Sequence, residues 1–316
     1  MKDLPISVVL PVFNAQAYVG AALDSIARQS FTNFEAIVID DGSQDESLRI
    51  IQRHVGDDPR FVIVSRSNLG LVDTCNEGIE RSIGSIIFRM DADDVSHPHR
   101  FARQLDFLRA NQDCVAVGTR ALLADDALLP IIEMFGITTH SAIDAENMRG
   151  EGSAICHPSA AIRREALVAI GGYRKEFEWA EDLDLFLRLA EVGKLANLSD
   201  VLLTHRQQLT SVSYSKRGLQ LTRTARAVEA AKQRRSLSCT AQSEMGGAEA
   251  ADVGNGEGID LQSDYGSTAA IHRKWAWLSL IGGNTRTARK HAFLAFRANP
   301  LDIENLRVLT CALRGY

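Results

Sequence analysis

Short apolar segments alternate with amphipathic ones through the first hundred residues, and this alternation most limits how the chain can fold. Four β-branched or apolar runs end at turn residues, at 6–10, 36–39, 61–64 and 85–90. The segments between them carry apolar side chains at helical spacing. Strands that are apolar on both faces need a sheet covered on both sides, as when helices link parallel strands. The pattern therefore predicts an α/β fold with a mostly parallel, twisted sheet flanked by helices.

The character of the sequence changes near residue 215, which predicts three regions. Residues 1–215 are expected to form the α/β domain, in which residues 121–155 are interpreted as a strand pair with loops. Residues 216–268 begin as a basic helix and continue as a segment rich in Gly, Ala and Ser, whose few apolar residues predict a flexible linker. Residues 269–316 carry three helical patterns and are expected to form a small C-terminal helical cap.

Composition narrows the class of protein. With 45% apolar and 24% charged residues, and no apolar run near the length of a membrane span, the chain is expected to be a soluble globular protein. The five cysteines form no CxxC pair and are odd in number. That count argues against a disulfide framework or a zinc site and favours a reducing, cytoplasmic compartment.

Charge is distributed unevenly along the chain. Residues 216–316 hold 15 Lys and Arg against 9 Asp and Glu, whereas residues 1–215 hold 20 against 31. An acidic half suits metal binding, and a basic half suits peripheral contact with the anionic inner face of a membrane. Solvated helix surfaces explain the basic half equally well. No nucleic-acid partner is expected.

Polar side chains follow three of the predicted strands at the point where each strand ends. These clusters are Pro11–Asn14, Asp40–Ser43 and Asp91–Asp94. Because open α/β sheets bind ligands beyond the carboxyl ends of their strands, the clusters are expected to meet at one edge. One Asp-Gly-Ser turn needs no ligand. The five carboxylates in the last two clusters, however, repel one another unless a cation or protonation offsets their charge.

The group Asp91-x-Asp93-Asp94 is the strongest local signal. Alternate residues leaving a strand can direct oxygen ligands into one space, and Mg²⁺ and Mn²⁺ prefer such ligands. A DxD pair alone is a weak motif, but its position after an apolar strand strengthens it. Rival motifs do not occur in the sequence, which contains no GxGxxG after the first strand, no GxxxxGK[ST], no GxSxG and no HExxH.

Taken in order, these segments resemble family 2 glycosyltransferases over roughly residues 4–215. The matching segments are Ile6–Asn14, Gln29–Phe31, Ile39–Asp45, Asn68-x-Gly70, Asn76-x-Gly78, Met90–Asp94, His157–Ser159 and Glu181–Asp184. The resemblance implies a GT-A fold, a nucleotide-sugar donor, a divalent cation (Mn²⁺ or Mg²⁺) and inversion at the anomeric carbon. The C-terminal hundred residues lie outside it.

The resemblance also implies a donor pocket. Pro11, Phe13 and Asp41 match the residues that hold the nucleotide base, with Asn14 beside them and Asp41 accepting from a base N–H. Phe13 stands where tyrosine is common in the family, so ring stacking is kept and a hydroxyl contact is lost. Arg206 lies where the family often places a basic residue that meets the diphosphate.

Five carboxylates take the remaining donor and catalytic roles by resemblance. Asp91 and Asp93 match the ribose and metal-diphosphate positions, and Asp93 is the expected metal ligand. Asp94 is expected to be a second ligand or a residue that orients the first. Asp182 matches the catalytic base, with Glu181 as the alternative. An acceptor hydroxyl needs such a base as it attacks, and a divalent metal can stabilise the departing diphosphate.

The function implied is transfer of a sugar, with UDP as the favoured nucleotide, to a saccharide or lipid-linked saccharide acceptor in the synthesis of a cell-surface polysaccharide, lipopolysaccharide or glycolipid. Trp179 and His157 are expected near the acceptor. Two alternatives stay open. One is a nucleotide-sugar-binding protein without activity. The other is a sugar-phosphate nucleotidyltransferase, which needs a Gly-rich phosphate loop that Pro11–Asn14 does not provide.

Overall fold

The computed structural model describes residues 6–209, 216–242 and 267–315, including side chains except those of residues 237–242. Most of the predicted linker, residues 243–266, lies outside the described residues. Within the described residues no helix is both long enough and apolar enough to cross a membrane.

Nine strands form one sheet in the described residues. They are β1 (Ile6–Val12), β2 (Phe34–Asp40), β3 (Phe61–Ser65), β4 (Ile86–Arg89), β5 (Val95–Ser96), β6 (Cys114–Ala124), β7 (Pro130–Met134), β8 (Ala161–Arg163) and β9 (Lys194–Arg206). The strand order is β3-β2-β1-β4-β8-β6-β9-β5, and β7 pairs with β6.

The sheet is parallel around β1 and mixed beyond β4. β1 pairs in parallel with both β2 and β4, and β2 pairs in parallel with β3. β8 is antiparallel to β4 and β6, while β6 and β9 are parallel. Because β1, β2 and β4 are parallel neighbours, their carboxyl ends lie at the same edge, which we call the carboxyl edge.

Helices cover the sheet. Those of the described residues are α1 (Val19–Ala27), α2 (Ser47–Val55), α3 (Leu71–Arg81), α4 (Arg100–Ala110), α5 (His140–Arg149), α6 (Arg164–Ala169), α7 (Glu181–Leu189), α8 (Arg217–Gln242), α9 (Thr268–Ile281), α10 (Thr285–Ala298) and α11 (Ile303–Arg314). The α/β architecture expected from the sequence is confirmed.

Strand β1 is buried on both faces, as its continuous apolar sequence predicts. Val8 and Leu10 pack into one core with side chains of α1, α2 and α4. Val9, on the opposite face, packs into a second core with side chains of α3, α6 and α7. Each buried side chain of this size contributes roughly 1.5–3 kcal/mol. A Cβ on Gly78 of α3 would lie 2.3 Å from Cγ1 of Val9, so the close approach of α3 to β1 depends on glycine at this position.

The interpretation of residues 121–155 as a strand pair with loops is wrong in one respect. Strands β6 and β7 are present, but helix α5 follows them. Only Ile143 and Asn147 of α5 are buried, so the helix has no apolar stripe that periodicity could detect.

The chain divides into two compact units. The first comprises the described residues up to Ala124 together with Glu133–Arg206 and Gly218–Val228. The second comprises Asp125–Ile132, with Gln207–Arg217 and Glu229–Tyr316 as far as they are described. Within the second unit the three helices that the C-terminal patterns predict, α9, α10 and α11, pack around small side chains, namely Ala276, Ala288, Ala292, Val308 and Ala312.

Candidate active site

The loops after β1 and β2 are joined at the carboxyl edge. The backbone N–H of Asn14 donates to Oγ of Ser43 at 3.0 Å, and Oδ1 of Asn14 accepts from the N–H of Gln44 at 2.8 Å. Asn14 adopts a left-handed φ of 48°, which asparagine tolerates better than most residues. Next to these hydrogen bonds the ring of Phe13 is 51% exposed beside the buried Pro11. A nucleotide base could stack on this ring.

Asp41 is a buried carboxylate held by three donors. Its oxygens accept from the N–H groups of Leu69 and Gly70, each at 2.9 Å, and from the guanidinium of Arg66. The same guanidinium pairs with Glu77 at 2.6 Å. Because a carboxylate has about four acceptor positions, one stays available to a ligand N–H. Arg66 was not predicted from the sequence.

The loop after β4 brings three carboxylates together. Oxygen atoms of Asp91, Asp93 and Asp94 lie within 4.8 Å of one another, and this is the one such group in the described residues. Burial, and then the charges of Asp94 and Asp91, raise the pKa of Asp93 to about 7. Three carboxylates this close together offer only oxygen ligands, and their mutual repulsion disfavours the ionised form of Asp93. Both properties suit a hard divalent cation.

The end of β9 fixes that loop from the other side. Asp94 is fully buried and accepts from Nδ1 of His205 at 3.1 Å and from the N–H of Arg206 at 2.9 Å. Nε of Arg206 donates to the carbonyl of Asp93 at 2.8 Å, and its guanidinium lies 4.6 Å from the ring centroid of Tyr18. Burial lowers the pKa of His205, but the carboxylates of Asp94, Asp91 and Asp93 outweigh it and raise the pKa to about 9.

A second acidic pair begins helix α7. Glu181 is 9% exposed, and its Oε2 is buried without a hydrogen-bond partner among the described residues. Burial, and then the neighbouring Asp182, raise the pKa of Glu181 to about 7; burial also raises the pKa of Asp182. Asp184 differs, because it is paired with Arg174 and Arg188 and supports the helix.

Trp179 precedes this pair in a strained conformation. Its φ of 77° is left-handed, which costs a bulky residue on the order of 1–3 kcal/mol. Such strain concentrates at functional sites, where the surrounding structure enforces it. The expected role of Trp179 near the acceptor stays a prediction.

Arg89 interacts electrostatically with both acidic groups, and it was not predicted from the sequence. The side chain is 3% exposed, and its Nη2 pairs with Oδ1 of Asp91 at 2.7 Å. Its Nε and Nη1 are buried and have no hydrogen-bond partner among the described residues. Arg89 also acts to lower the pKa of Glu181 and of Asp182, against the effect of burial. A charged residue inside the apolar run 85–90 is the signal that could have revealed it.

His157 lies beside the same group as a neutral imidazole. Its Nε2 is 2.6 Å from the hydroxyl of Tyr173. Burial, and then the positive charge of Arg89, lower the pKa of His157 to about 3. Its surroundings therefore include Arg89 and Asp91, and contact with an acceptor stays a prediction.

The carboxyl edge thus gathers most of the predicted site residues. Phe13, Asn14 and Asp41 follow β1 and β2, while the acidic loop follows β4 and is held by Arg206. The pair at the start of α7 is electrostatically linked to the loop, since the charge of Asp91 raises the pKa of Asp182. The arrangement can hold a polyanion with a cation and place a carboxylate base near it.

Solved structures with this fold are glycosyltransferases of the GT-A type. The mannosyltransferase PcManGT from Pyrobaculum calidifontis, in complex with GDP-Man and Mn²⁺, aligns over 98% of this chain and 80% of its own, with a TM-score of 0.56 and 18% identity. Residues 1–349 of Staphylococcus aureus TarS, in complex with UDP-GlcNAc, align over 98% and 79%, with a TM-score of 0.55 and 16% identity. The predicted GT-A fold is confirmed.

Sequence relatives match about three fifths of the chain. EpsE of Bacillus subtilis, provisionally assigned as a glycosyltransferase, is 29% identical over 192 residues, 60% of this chain and 67% of its own. The amylovoran biosynthesis glycosyltransferase AmsE of Erwinia amylovora is 25% identical over 62% of this chain and 74% of its own. Chondroitin synthase of Escherichia coli is 26% identical over 64% of this chain, but the match spans only 29% of that enzyme.

The chain belongs to glycosyl transferase family 2, whose model matches residues 7–171. The matched segment contains the three polar clusters of the carboxyl edge and ends before the acidic pair of α7.

Proposed function

We propose that this chain is an inverting, metal-dependent glycosyltransferase that moves a sugar from a nucleoside-diphosphate donor to an acceptor hydroxyl. One observation carries the proposal. The three carboxylates of Asp91, Asp93 and Asp94 lie within 4.8 Å of one another at the carboxyl edge. At the same edge Asp41 has an acceptor position for an N–H of the nucleotide base. Repulsion within such a group is offset by protonation or by positive charge, and a bound divalent cation, which can also bind the diphosphate of a donor, supplies positive charge.

Asp41 and Phe13 bind the nucleotide base in this proposal. The ring of Phe13 stacks on the base, and the remaining acceptor position of Asp41 takes a base N–H. Asp91 lies towards the ribose and Asp93 holds the cation. The cation, when bound, offsets the charge that develops on the departing diphosphate. Asp94 orients the loop, because its oxygens already accept from His205 and Arg206.

Asp182 takes the acceptor proton, with Glu181 as the alternative base. A general base works best when its pKa lies near the operating pH, and burial raises the pKa of both residues in that direction. Asp182 then needs only to accept the proton as the hydroxyl attacks the anomeric carbon. A single displacement with one base inverts that carbon and requires no carboxylate nucleophile.

We favour UDP as the donor nucleotide and a hexose as the sugar. The TarS structure holds UDP-GlcNAc, whereas the PcManGT structure holds GDP-Man, so GDP is the main competitor. The chondroitin synthase and the amylovoran enzyme among the relatives favour a saccharide or lipid-linked saccharide acceptor in cell-surface polysaccharide synthesis.

We also propose a division of labour along the chain. Residues 1–215 bind the donor and carry out catalysis, and residues 216–268 link this domain to the C-terminal helices. Residues 269–316 form a helical cap through which the protein contacts a membrane from the cytoplasmic side. The free cysteines Cys75, Cys114, Cys156 and Cys311 support a reducing compartment.

The variant Asp182→Asn tests the proposed activity. Loss of a general base is expected to lower nucleotide release and sugar transfer about 10²–10⁴-fold. Donor affinity in the presence of Mn²⁺ should be retained, because the base does not hold the donor. Asp106→Asn is the matched control, since Asp106 is an exposed carboxylate on α4 and should leave turnover unchanged.

Two results would overturn the assignment. If Asp182→Asn and Glu181→Gln each turn over a donor as fast as the parent protein, neither residue is the base. If the parent protein binds a nucleotide-sugar tightly but releases no nucleotide with any acceptor or with water, the chain is a binding protein.

A further inference from the structure

Large apolar side chains stand in solvent at the turn between α10 and α11. Leu301 in the turn is 96% exposed and Ile303 is 77% exposed. Leu306 and Leu313 follow on the outward face of α11, opposite the buried Val308. A single exposed apolar residue is common and needs no explanation. Four on one helix and its leading turn instead form an apolar strip.

Arginines border this strip. Arg286 and Arg297 lie on the outward face of α10 at helical spacing, with the exposed Phe293 between them. Arg314 lies at the end of α11. In the described part of the chain none of these three arginines forms an ion pair, so their charge is available.

Helices α10 and α11 pack side by side. Nε of Arg289, near the start of α10, donates to the carbonyl of Ala312 at 3.1 Å, near the end of α11. Asn305, near the start of α11, donates to the carbonyl of Asn299 at 2.9 Å, just after α10. The two helices are therefore antiparallel neighbours. Arg297 lies in the last turn of α10, just before the turn with Leu301, and Arg286 lies within one helical turn of Arg289, whose side chain reaches the end of α11.

We propose that this surface docks the protein on an anionic lipid bilayer. We call it the docking face and define it as Arg286, Phe293, Arg297, Leu301, Ile303 and Leu306. Apolar side chains that project from an amphipathic helix insert at the boundary of headgroups and acyl chains, while arginines meet the anionic headgroups. A second copy of the chain fits less well, since it would bring arginine against arginine.

The inference deepens the proposed membrane contact and rests on it. Docking would bring the enzyme to the same membrane surface as a lipid-linked acceptor. The search for the acceptor would then be confined to the plane of the membrane. Docking requires neither donor nor acceptor, so it can be tested independently of transfer activity.

Co-sedimentation of the full chain with vesicles tests the docking face. The vesicles contain phosphatidylcholine alone or phosphatidylcholine with phosphatidylglycerol. We expect binding only to the anionic vesicles, and binding that weakens as salt is added. The double variant Arg286→Ala, Arg297→Ala should lower the partition coefficient about thirtyfold, since each arginine near the surface is worth about fivefold.

A second double variant, Leu301→Ser with Ile303→Ser, should also lower binding, and by an amount that salt does not change. Arg28→Ala and Ile83→Ser are matched controls, because both residues are exposed in the first unit, far along the chain from the docking face. The proposal fails if both vesicle types bind equally or not at all, or if the controls weaken binding as much. It also fails if the chain dimerises without lipid and Leu301→Ser abolishes the dimer.

Discussion

The variant Glu181→Gln distinguishes the roles of the two carboxylates of α7, because it changes how both stability and activity depend on pH. Burial, and then Asp182, raise the pKa of Glu181 from 4.5 to about 7. A shift of that size corresponds to about 3 kcal/mol between the two protonation states. The folded protein therefore binds the Glu181 proton more tightly than the unfolded chain does.

The consequence for stability follows from that sign. Below pH 4.5 the residue is protonated in both states and costs nothing. As pH rises through 4.5 to 7, the unfolded chain releases the proton first, so the parent protein loses about 3 kcal/mol of stability. Glutamine does not titrate, and Glu181→Gln should lose about 2.5 kcal/mol less than the parent between pH 5 and pH 8, because a small part of the loss occurs below pH 5. Any cost of burying the amide is the same at both pH values and cancels.

Urea unfolding of the parent and the variant at pH 5 and pH 8 measures this difference. Activity gives an independent reading. The acid limb of kcat/KM should lie above the usual aspartate range in the parent, because burial raises the pKa of Asp182, and it should move to lower pH in Glu181→Gln, since Asp182 then titrates without a neighbouring carboxylate. The reasoning is refuted if the variant and the parent change stability equally with pH, or if the variant is inactive at every pH.

Two further predictions concern charges outside the base. Arg66→Met leaves the buried Asp41 without its cation, whereas the half-buried Glu77 keeps Arg81, so equilibrium unfolding should show a loss of about 3 kcal/mol. Arg66→Lys should lose less but still weaken donor binding, because an ammonium cannot bridge both carboxylates in the same way; equal stability of Arg66→Met and the parent would contradict this. In the second unit, burial and then His272 lower the pKa of His291 to about 4. The contribution of His291 to stability should therefore be complete above pH 6.5 and fall by about 3 kcal/mol as pH drops to 4, an effect that His291→Asn removes; an unchanged acid dependence in that variant would contradict the assignment.

Much of the fold could be predicted because its signals are local. The apolar runs of β1, β2 and β4 require a sheet that is covered on both faces, and the structure buries all of β1. The acidic loop could be predicted in the same way, since Asp91–Asp94 directly follows β4. Asp182, in contrast, was assigned by resemblance alone, because an acidic residue at a helix start is also typical of capping.

Two of the residues that were missed, Arg66 and His205, have partners far away in sequence. Arg66 meets Asp41 across 25 positions, and His205 meets Asp94 across 111. The second contact depends on the antiparallel pairing of β5 with β9, in which Val95 lies opposite Thr204. No local period predicts that pairing, so neither the histidine nor the anchoring of the acidic loop could be inferred from the sequence.

A crystal structure with UDP and Mn²⁺, analysed by anomalous scattering from manganese, tests most directly whether the crowded carboxylates exist to hold a cation. We predict one strong anomalous peak within bonding distance of Asp93 and of the UDP phosphates, with the base against Phe13 and Asp41. Asp93→Asn should lose the peak. Ordered UDP with manganese away from Asp91, Asp93 and Asp94, or with no manganese at all, would contradict the account.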